Sequence, residues 1–558
     1  MTPIYDLAHR YVDDLAALDP NTATALGLPG YDRLMTDYSP EGPAAIADLN
    51  RRTLAALQAA SPTSDPDRIA RDVILERLGV QLDLFEAGEH LRNLRIIASP
   101  LQSIRAVFDQ MAKTTAEEWD NIAARLKLVP QALAGYRQTL DEGLRRGTPA
   151  ARRQAEEGAV QAETWSGQVE GKPSFFDMLR DAFDRSSVAA DGLRTDLDEG
   201  ARGAKTAYGD MARYLREHYL PRAAEREAAG PDRYQLFSRV FLGAAIDLRE
   251  TYDWGWEELY RIEEEMRRTA ERIVPGASVE SVTHLLESDP ARAVVGVDAY
   301  REWLQELHDE AIAALHPTHF DIAPEIRRVE VMIPPPGGAL AAYYTGPSED
   351  FKRPGRTWWP VDGRTRFPRW AEVSTAYHEG VPGHHLQVGS ARVLGEELSR
   401  FQRLLTFVSG YGEGWALYAE RLMGELGYLE DPEHYLGMLS AQALRAVRVI
   451  IDIGMHLELA IPAGERFHPG EVWTHDLALD FAVERAARPR DFMASEVVRY
   501  LGWPAQAISY KVGERKWLEV REAARRRRGA GFDLKSFHSQ ALQLGPMGLG
   551  QLEREMGS

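Results

Sequence analysis

Helical periodicity is the strongest constraint on this chain. Over residues 44–60, 67–88, 116–145, 176–198, 205–225 and 254–273 the sequence is rich in Ala, Leu, Glu and Arg, with apolar residues at three- and four-residue intervals. That spacing lines one face of an α-helix, whereas a strand would need alternation. Breaks rich in proline and glycine punctuate the pattern at Gly27 to Pro43, Ser61 to Pro66 and Gly171 to Ser174. Beyond Pro368 the pattern returns and predicts helices over 369–390, 395–426, 432–460, 471–487, 491–502 and 504–528. One region differs. Val329 to Ile333 is largely β-branched and leads into Pro334-Pro335-Pro336-Gly337-Gly338; Ala341-Ala342-Tyr343-Tyr344 and Thr357-Trp358-Trp359-Pro360 follow. Short extended runs between turn residues predict a small sheet. The expected fold is mainly α, in a helical part (1–328), a small β region (329–365) and a second helical part (366–558).

Composition narrows the function classes. The net charge of −19, from 66 basic and 85 acidic residues, argues against nucleic acid or an anionic membrane as the main partner. The run Arg525-Arg526-Arg527-Arg528 precedes Gly529 and reads as a solvated helix terminus that complements the helix dipole. There is no cysteine, so disulfides are excluded and any metal must be held by histidine and carboxylate. The opening MTPIYDLAHRYVDDLAALDP lacks the basic and continuous apolar regions of a secretory signal, and no window has the ~18 apolar residues of a membrane helix. The expected location is the cytoplasm. The sequence does not specify an oligomeric state.

The stretch AYHEGVPGHHLQ carries the chemistry. His378 is followed at once by Glu379, and His384 and His385 come six and seven residues after His378. Two imidazoles to hold a metal and a glutamate to take the proton of an attacking water are the minimal kit of a hydrolytic zinc site. The usual spacing of four puts both histidines on one helix face. A spacing of six puts them about 240° apart and about 9 Å along the axis, and seven puts them about 10.5 Å apart, so a regular helix cannot aim both at one ion. Pro382 supplies the remedy, because its ring clashes with the carbonyl four residues back, that of His378. Gly380 and Gly383 relax the backbone on both sides. A bulge or kink over 380–383 is expected, with His384 as second ligand and His385 as the alternative, or as a support or substrate contact.

A third ligand is expected from GYGEGWALYAE. Glu413 lies 29 residues after His384, enough for one helix to end and another to return. Gly412 and Gly414 flank it and permit close approach to the metal-bearing helix, with Trp415 and Tyr418 packed around it. Glu420, two turns on, is placed to accept the free N–H of a ligand histidine. The competing reading of Glu413 is a surface carboxylate.

AYHEGVPGHHLQ, GYGEGWALYAE, RAVRVIIDIGMH and PAQAISYKVG, in this order, strongly resemble the bacterial family catalogued as domain of unknown function 885. The resemblance spans nearly the whole chain, with DPNTATALGLPGYDRL similar to the family's opening segment. More distantly it is similar to helical zinc peptidases such as thimet oligopeptidase, angiotensin-converting enzyme and carboxypeptidase Taq. The resemblance implies a two-lobed α-rich fold with a deep cleft, and zinc-dependent peptide or amide hydrolysis. One departure is visible: the family usually reads Pro-Gly-Gln-Ala where this chain has Pro504-Ala505-Gln506-Ala507. The added methyl tightens that turn and leaves Gln506, a candidate substrate contact, in place.

Further candidates surround this set. Arg448, Asp452 and His456 recur every four residues on one helix face, either as a polar stripe into a cleft or as a structural ion pair with a capped histidine. In the first case His456 donates to the oxyanion, Asp452 orients it or a metal ligand, and Arg448 contacts substrate. Tyr510 is a candidate oxyanion donor, as in similar peptidases, or else a core tyrosine. Arg499, Tyr500 and Lys511 are candidates for gripping a substrate carboxylate. Tyr343 and Tyr344, on the strand preceding the motif, either line the substrate backbone or belong to a plain structural hairpin. The reading is a zinc-dependent hydrolase of a short peptide or peptide-like amide. Two rivals are a zinc hydrolase of a non-peptide amide or specialised metabolite, and a non-catalytic helical binding protein with a degraded site.

Overall fold

The computed structural model describes residues 2–188, 192–334, 341–348, 350–486 and 488–557. With 68% of the chain in helices and 4% in strands, the fold is mainly helical. It forms two compact units: Met1–Thr63, Arg77–Ala228 and Val498–Trp503 make the first, and Ser64–Glu76, Ala229–Val497 and Pro504–Ser558 the second. The helices between 231 and 315 thus belong with the metal-site half, so the units do not follow the 1–328, 329–365 and 366–558 parts.

The first unit is helical around a core that includes Trp119, Tyr136, Phe176, Leu197 and Tyr208. Two long helices expected from periodicity are interrupted. The 116–145 segment is Ala116–Leu126 and Val129–Arg145, with Pro130 in the first turn of the second, where no intrahelical N–H is needed. Over 176–198, one helix ends at Asp184 and another starts at Leu193, after Gly192 in the left-handed region (φ 78°).

The second unit is organised around the helix Pro432–Leu457. Asp431 accepts from the amide of Glu433 at its start (2.8 Å), and nearly every residue from Leu436 to His456 is buried. A helix apolar on all sides must be wrapped. Leu248–Ile273, Glu372–Glu379, Ser409–Glu425, His475–Ala486 and Ser509–Arg528 all pack against it. Ser409–Glu425 also lies directly on Ser509–Arg528: a Cβ on Gly414 would sit 2.5 Å from the Cα of Gly513. This glycine, read in the sequence as clearance for the metal-bearing helix, serves a different neighbour. The run Arg525 to Arg528 is exposed in the last turn of its helix, with Gly529 (φ 52°) following, as expected.

Among the described residues, five strands make two small sheets. β2 (Val329–Met332), β4 (Gly355–Trp358) and β3 (Tyr343–Thr345) form one in the order β2-β4-β3, with β2 parallel and β3 antiparallel to β4. It is therefore not a plain hairpin. Residues 335–340, including most of the expected Pro-Pro-Gly-Gly turn, lie outside the described residues. β1 (Ala293–Val295) pairs antiparallel with β5 (Arg366–Pro368), a pairing that three-residue strands do not announce. Tyr300 stacks on Phe367 at 3.9 Å, in a cluster with Trp359.

His538 gives the second unit a pH signature. It is buried against Phe320, Trp415 and Phe537, and its Nε2 takes the Tyr418 hydroxyl at 2.7 Å. Burial, with Arg521 and His319 adding to it, pushes its pKa down to about 3 from 6.5. The unfolded chain takes up this proton near 6.5 and the folded chain only near 3, so the stability is complete above 6.5 and lost as pH falls through this window. The unfolding free energy of a His538→Asn variant, from urea titrations, should therefore fall less steeply with pH below 6.5, by about 1.4 kcal/mol per pH unit for the missing proton. Parallel slopes for the two proteins would refute this.

Candidate metal centre

The helix Glu372–Glu379 stops one residue after His378, and His384 opens a new helix, His384–Val393. The expected kink is a complete break. Gly380 and Gly383 have ψ of −128° and −130°, which no helix continues. Gly383 has no alternative, since a Cβ there would lie 2.0 Å from the carbonyl oxygen of His378. The loose ends are tied: the Gly383 amide bonds the Tyr377 carbonyl and the His385 amide that of Gly380, both at 3.0 Å. The Trp415 indole donates to the Pro382 carbonyl at 2.8 Å, from the helix that carries Glu413.

The break turns the two imidazoles onto one carboxylate. Their ring centroids are 4.9 Å apart with planes at 89°. Nε2 of His378 lies 3.3 Å and Nε2 of His384 3.4 Å from the same Oε2 of Glu413. One donor atom from each of the three lies within 4.8 Å of the others. Glu420, two turns after Glu413, accepts from Nδ1 of His378 at 2.8 Å and also takes the Ser374 hydroxyl. Because Nδ1 carries that proton, Nε2 is the nitrogen aimed at Glu413. Burial disfavours the charged form of His378, but its hydrogen bonds to Glu413 and Glu420 outweigh this and push it up to about 10. Burial likewise opposes ionisation of Glu413, yet His384 and His378 hold its carboxyl well below the usual range. The pocket favours positive charge between these three groups.

Glu379 is 6% exposed and accepts no hydrogen bond from any described residue. Burial pushes its carboxyl up, opposed by the charges of His378, His384 and Arg445. His385 is not part of the donor set. Its Nε2 donates to the Ile326 carbonyl (2.9 Å), which leaves Nδ1 to accept from the Tyr344 hydroxyl (3.0 Å), and burial pushes its pKa down to about 4. Tyr344 is thereby occupied as a support, with its ring stacked 6.5 Å from that of His384. Tyr343 stacks on Trp358 at 5.8 Å.

Several other candidates stand elsewhere. Asp452 accepts from the Tyr234 hydroxyl (2.6 Å) and the Ala505 amide (2.9 Å), while Nδ1 of His456 takes the Ala229 amide (3.1 Å). His456 is fully buried and, at eleven residues, about 16 Å of helix beyond Arg445, so the structural alternative holds for this pair. Lys511 is buried in a network with Glu258 (2.8 Å), Glu514 and Gln442 and cannot grip a substrate. Arg448 is paired with Glu496 at 2.7 Å and lies 4.9 Å over the Tyr510 ring. Gln506 is buried in the turn that leads into the Tyr510 helix, its carbonyl taken by Ser509. Arg499 and Tyr500 belong to the first unit, Arg499 4.8 Å over the buried Tyr500 ring.

Three contributors escaped the sequence reading. Ser374 sits one turn before His378, a spacing that marks it in retrospect. Arg445 opens the RAVR motif and lies 5.8 Å over Tyr510. Arg488 follows the helix His475–Ala486 and had no motif to reveal it.

Fold and site together define a mainly helical protein with a buried two-histidine, one-glutamate cluster able to hold a cation. Residues 20–556 match the family described as bacterial protein of unknown function (DUF885), and the chain belongs to that family. Two solved structures share its fold. One, described as a "putative lipoprotein" from Colwellia psychrerythraea, is 23% identical with a TM-score of 0.84 and covers 99% of this chain and 98% of its own. The other, a "putative lipoprotein of unknown function" from Shewanella oneidensis, is 17% identical with a TM-score of 0.76 over 100% of both chains. No curated protein matches the chain.

Two outcomes follow from this geometry. Ala505 sits at φ 64°, the left-handed region that costs a side chain about 1 kcal/mol. Ala505→Gly should raise stability by about that amount in urea unfolding, and a loss would show that the methyl packs. Glu420→Ala should weaken zinc affinity about 10–100-fold in a competitive chelator titration while leaving the three donors in place.

Proposed function

We propose that this protein is a zinc-dependent hydrolase that cleaves the amide bond of a short peptide or peptide-like substrate. The observation that carries this is the pair of Nε2 atoms converging on one carboxylate oxygen at 3.3 and 3.4 Å. Ligands about 2.0–2.1 Å from a tetrahedral zinc are about 3.3 Å from one another, so two of the three edges already have the required length. Three protein donors leave a coordination position for substrate or water, as in catalytic rather than structural sites. The donors contain only nitrogen and oxygen, which suits zinc, and Glu420 fixes the tautomer of His378.

Zinc held by His378, His384 and Glu413 would polarise the scissile carbonyl and lower the pKa of water. Glu379, buried and without a hydrogen-bond partner among the described residues, takes the proton of the attacking water and passes it to the leaving amine. The new C–O bond forms first and places the charge on the former carbonyl oxygen, and the C–N bond breaks when that oxyanion collapses and the amine takes the proton from Glu379. Tyr510, beside Arg445, is retained as the donor to the developing oxyanion. The edge strand β3 favours a peptide over a non-peptide amide. It carries Tyr344 beside His384, and its following Gly346 meets Val388 of the His384 helix, so its outer backbone groups can pair with an extended substrate. The resemblance to two-lobed helical zinc peptidases belongs to this reading, as do the absence of nucleic acid and membrane among its partners and a cytoplasmic location. The two structures of similar fold are each described as a "putative lipoprotein", which makes attachment to the cell envelope the alternative location, and cell fractionation separates the two.

The test is Glu379→Gln. This variant should keep one zinc per chain by metal analysis and lose about 10²–10⁴-fold in kcat on blocked dipeptides. His378→Ala should lose the zinc itself. A Glu379→Gln enzyme with near-normal turnover would remove the general base from this account.

A further inference from the structure

Beside the metal centre the second unit holds a concentration of arginine that the hydrolytic chemistry does not use. Arg445 and Arg448 stand one turn apart on Pro432–Leu457 and both lie over the ring of Tyr510, at 5.8 and 4.9 Å. The helix Glu372–Glu379, which ends in Glu379, packs against this same helix. Arg488 follows the end of His475–Ala486; burial lowers its pKa first, the charges of Arg445 and Arg448 add to this, and Glu287 and Glu372 oppose it.

Their pairing is incomplete. Arg448 has Glu496. Arg445 forms no ion pair with any described residue, donating only to the Ala441 carbonyl of its own helix, and its Nε is buried without a hydrogen-bond partner. Arg488, half-buried, donates no hydrogen bond to any described residue, with Glu287 and Glu372 attracting it from beyond ion-pair distance. Both guanidiniums are half-buried and without an ion pair among the described residues, and the buried Nε of Arg445 is left without an acceptor, so an anion would complete them. Their forked donors match a carboxylate, which accepts two parallel hydrogen bonds. In a chain of net charge −19, so local an excess of cations is not a general attraction for anions.

We infer that Arg445 and Arg488, backed by Arg448 and Tyr510, form a subsite for a free carboxylate of the substrate beside Glu379. The hydrolysed amide then lies next to a terminal carboxylate, as in the last peptide bond of a peptide or in an N-acyl amino acid. The inference rests on the hydrolase reading for the bond that is cut, while the anion subsite itself rests on the arginines.

The experiment therefore measures binding and turnover separately. Zinc-loaded Glu379→Gln protein is titrated calorimetrically with benzoyl-glycyl-phenylalanine and with its C-terminal amide. The acid should bind about 100-fold more tightly, the scale of one desolvated charge pair. Adding Arg445→Met or Arg488→Met should each remove most of that preference, and Arg488→Lys, which keeps the charge without the fork, should retain part of it. Thermal unfolding distinguishes a structural role: removing an unpaired arginine should leave Tm unchanged or higher, whereas a structural arginine would lower it. An acid that binds no more tightly than its amide, or a preference that survives both methionine substitutions, overturns the subsite. Turnover by the zinc-loaded wild type then separates the two claims. Equal kcat/KM for acid and amide leaves the hydrolase and removes the subsite. A preference in binding with no cleavage of either compound leaves the subsite and removes the hydrolase.

Discussion

The arrangement of the second unit depends on one interruption in a helix. Between Glu379 and His384 the chain leaves α-helical geometry and re-enters it, and Gly383 is pressed so closely on the His378 carbonyl that no side chain fits. Without this interruption His378 and His384 would point in different directions along a single rod. With it, one imidazole ends a helix, the other begins the next, and both address Glu413. The Trp415 indole holds the carbonyl of Pro382, so the helix that supplies the third donor also pins the loop that aligns the first two.

A second layer fixes orientation and protonation. Glu420 and Ser374 determine which nitrogen of His378 faces inward. On the far side, the Ile326 carbonyl sets the proton of His385, and His385 in turn sets the hydroxyl of Tyr344. Two adjacent histidines therefore have opposite assignments, one a donor in the cluster and the other a neutral spacer under the sheet.

Much of this was legible in the sequence, because the relevant signals are local. Helical period, the His-Glu pair, the proline four residues after His378 and the carboxylates of GYGEGWALYAE all act within a few turns, and they place His378, His384, Glu413 and Glu420 together. What could not be read depends on tertiary partners. The stripe Arg448, Asp452, His456 is periodic whether it faces a substrate or the interior, and only Tyr234, Ala229 and Ala505 reveal that its lower half is structural. Lys511 looked available until Glu258 and Glu514 surrounded it. Arg488 lies outside every motif, and β1 finds β5 across a separation of about seventy residues that no local rule anticipates.

The contact of Gly414 with Gly513 has a wider consequence. Glu413 is followed by a residue whose backbone touches another helix and then by an indole anchored to the Pro382 loop, so it is held from two directions within two positions. Such a donor cannot be re-aimed by small adjustments of its surroundings. Of the three donors, Glu413 is thus the one whose direction its own helix and that helix's neighbours fix most firmly.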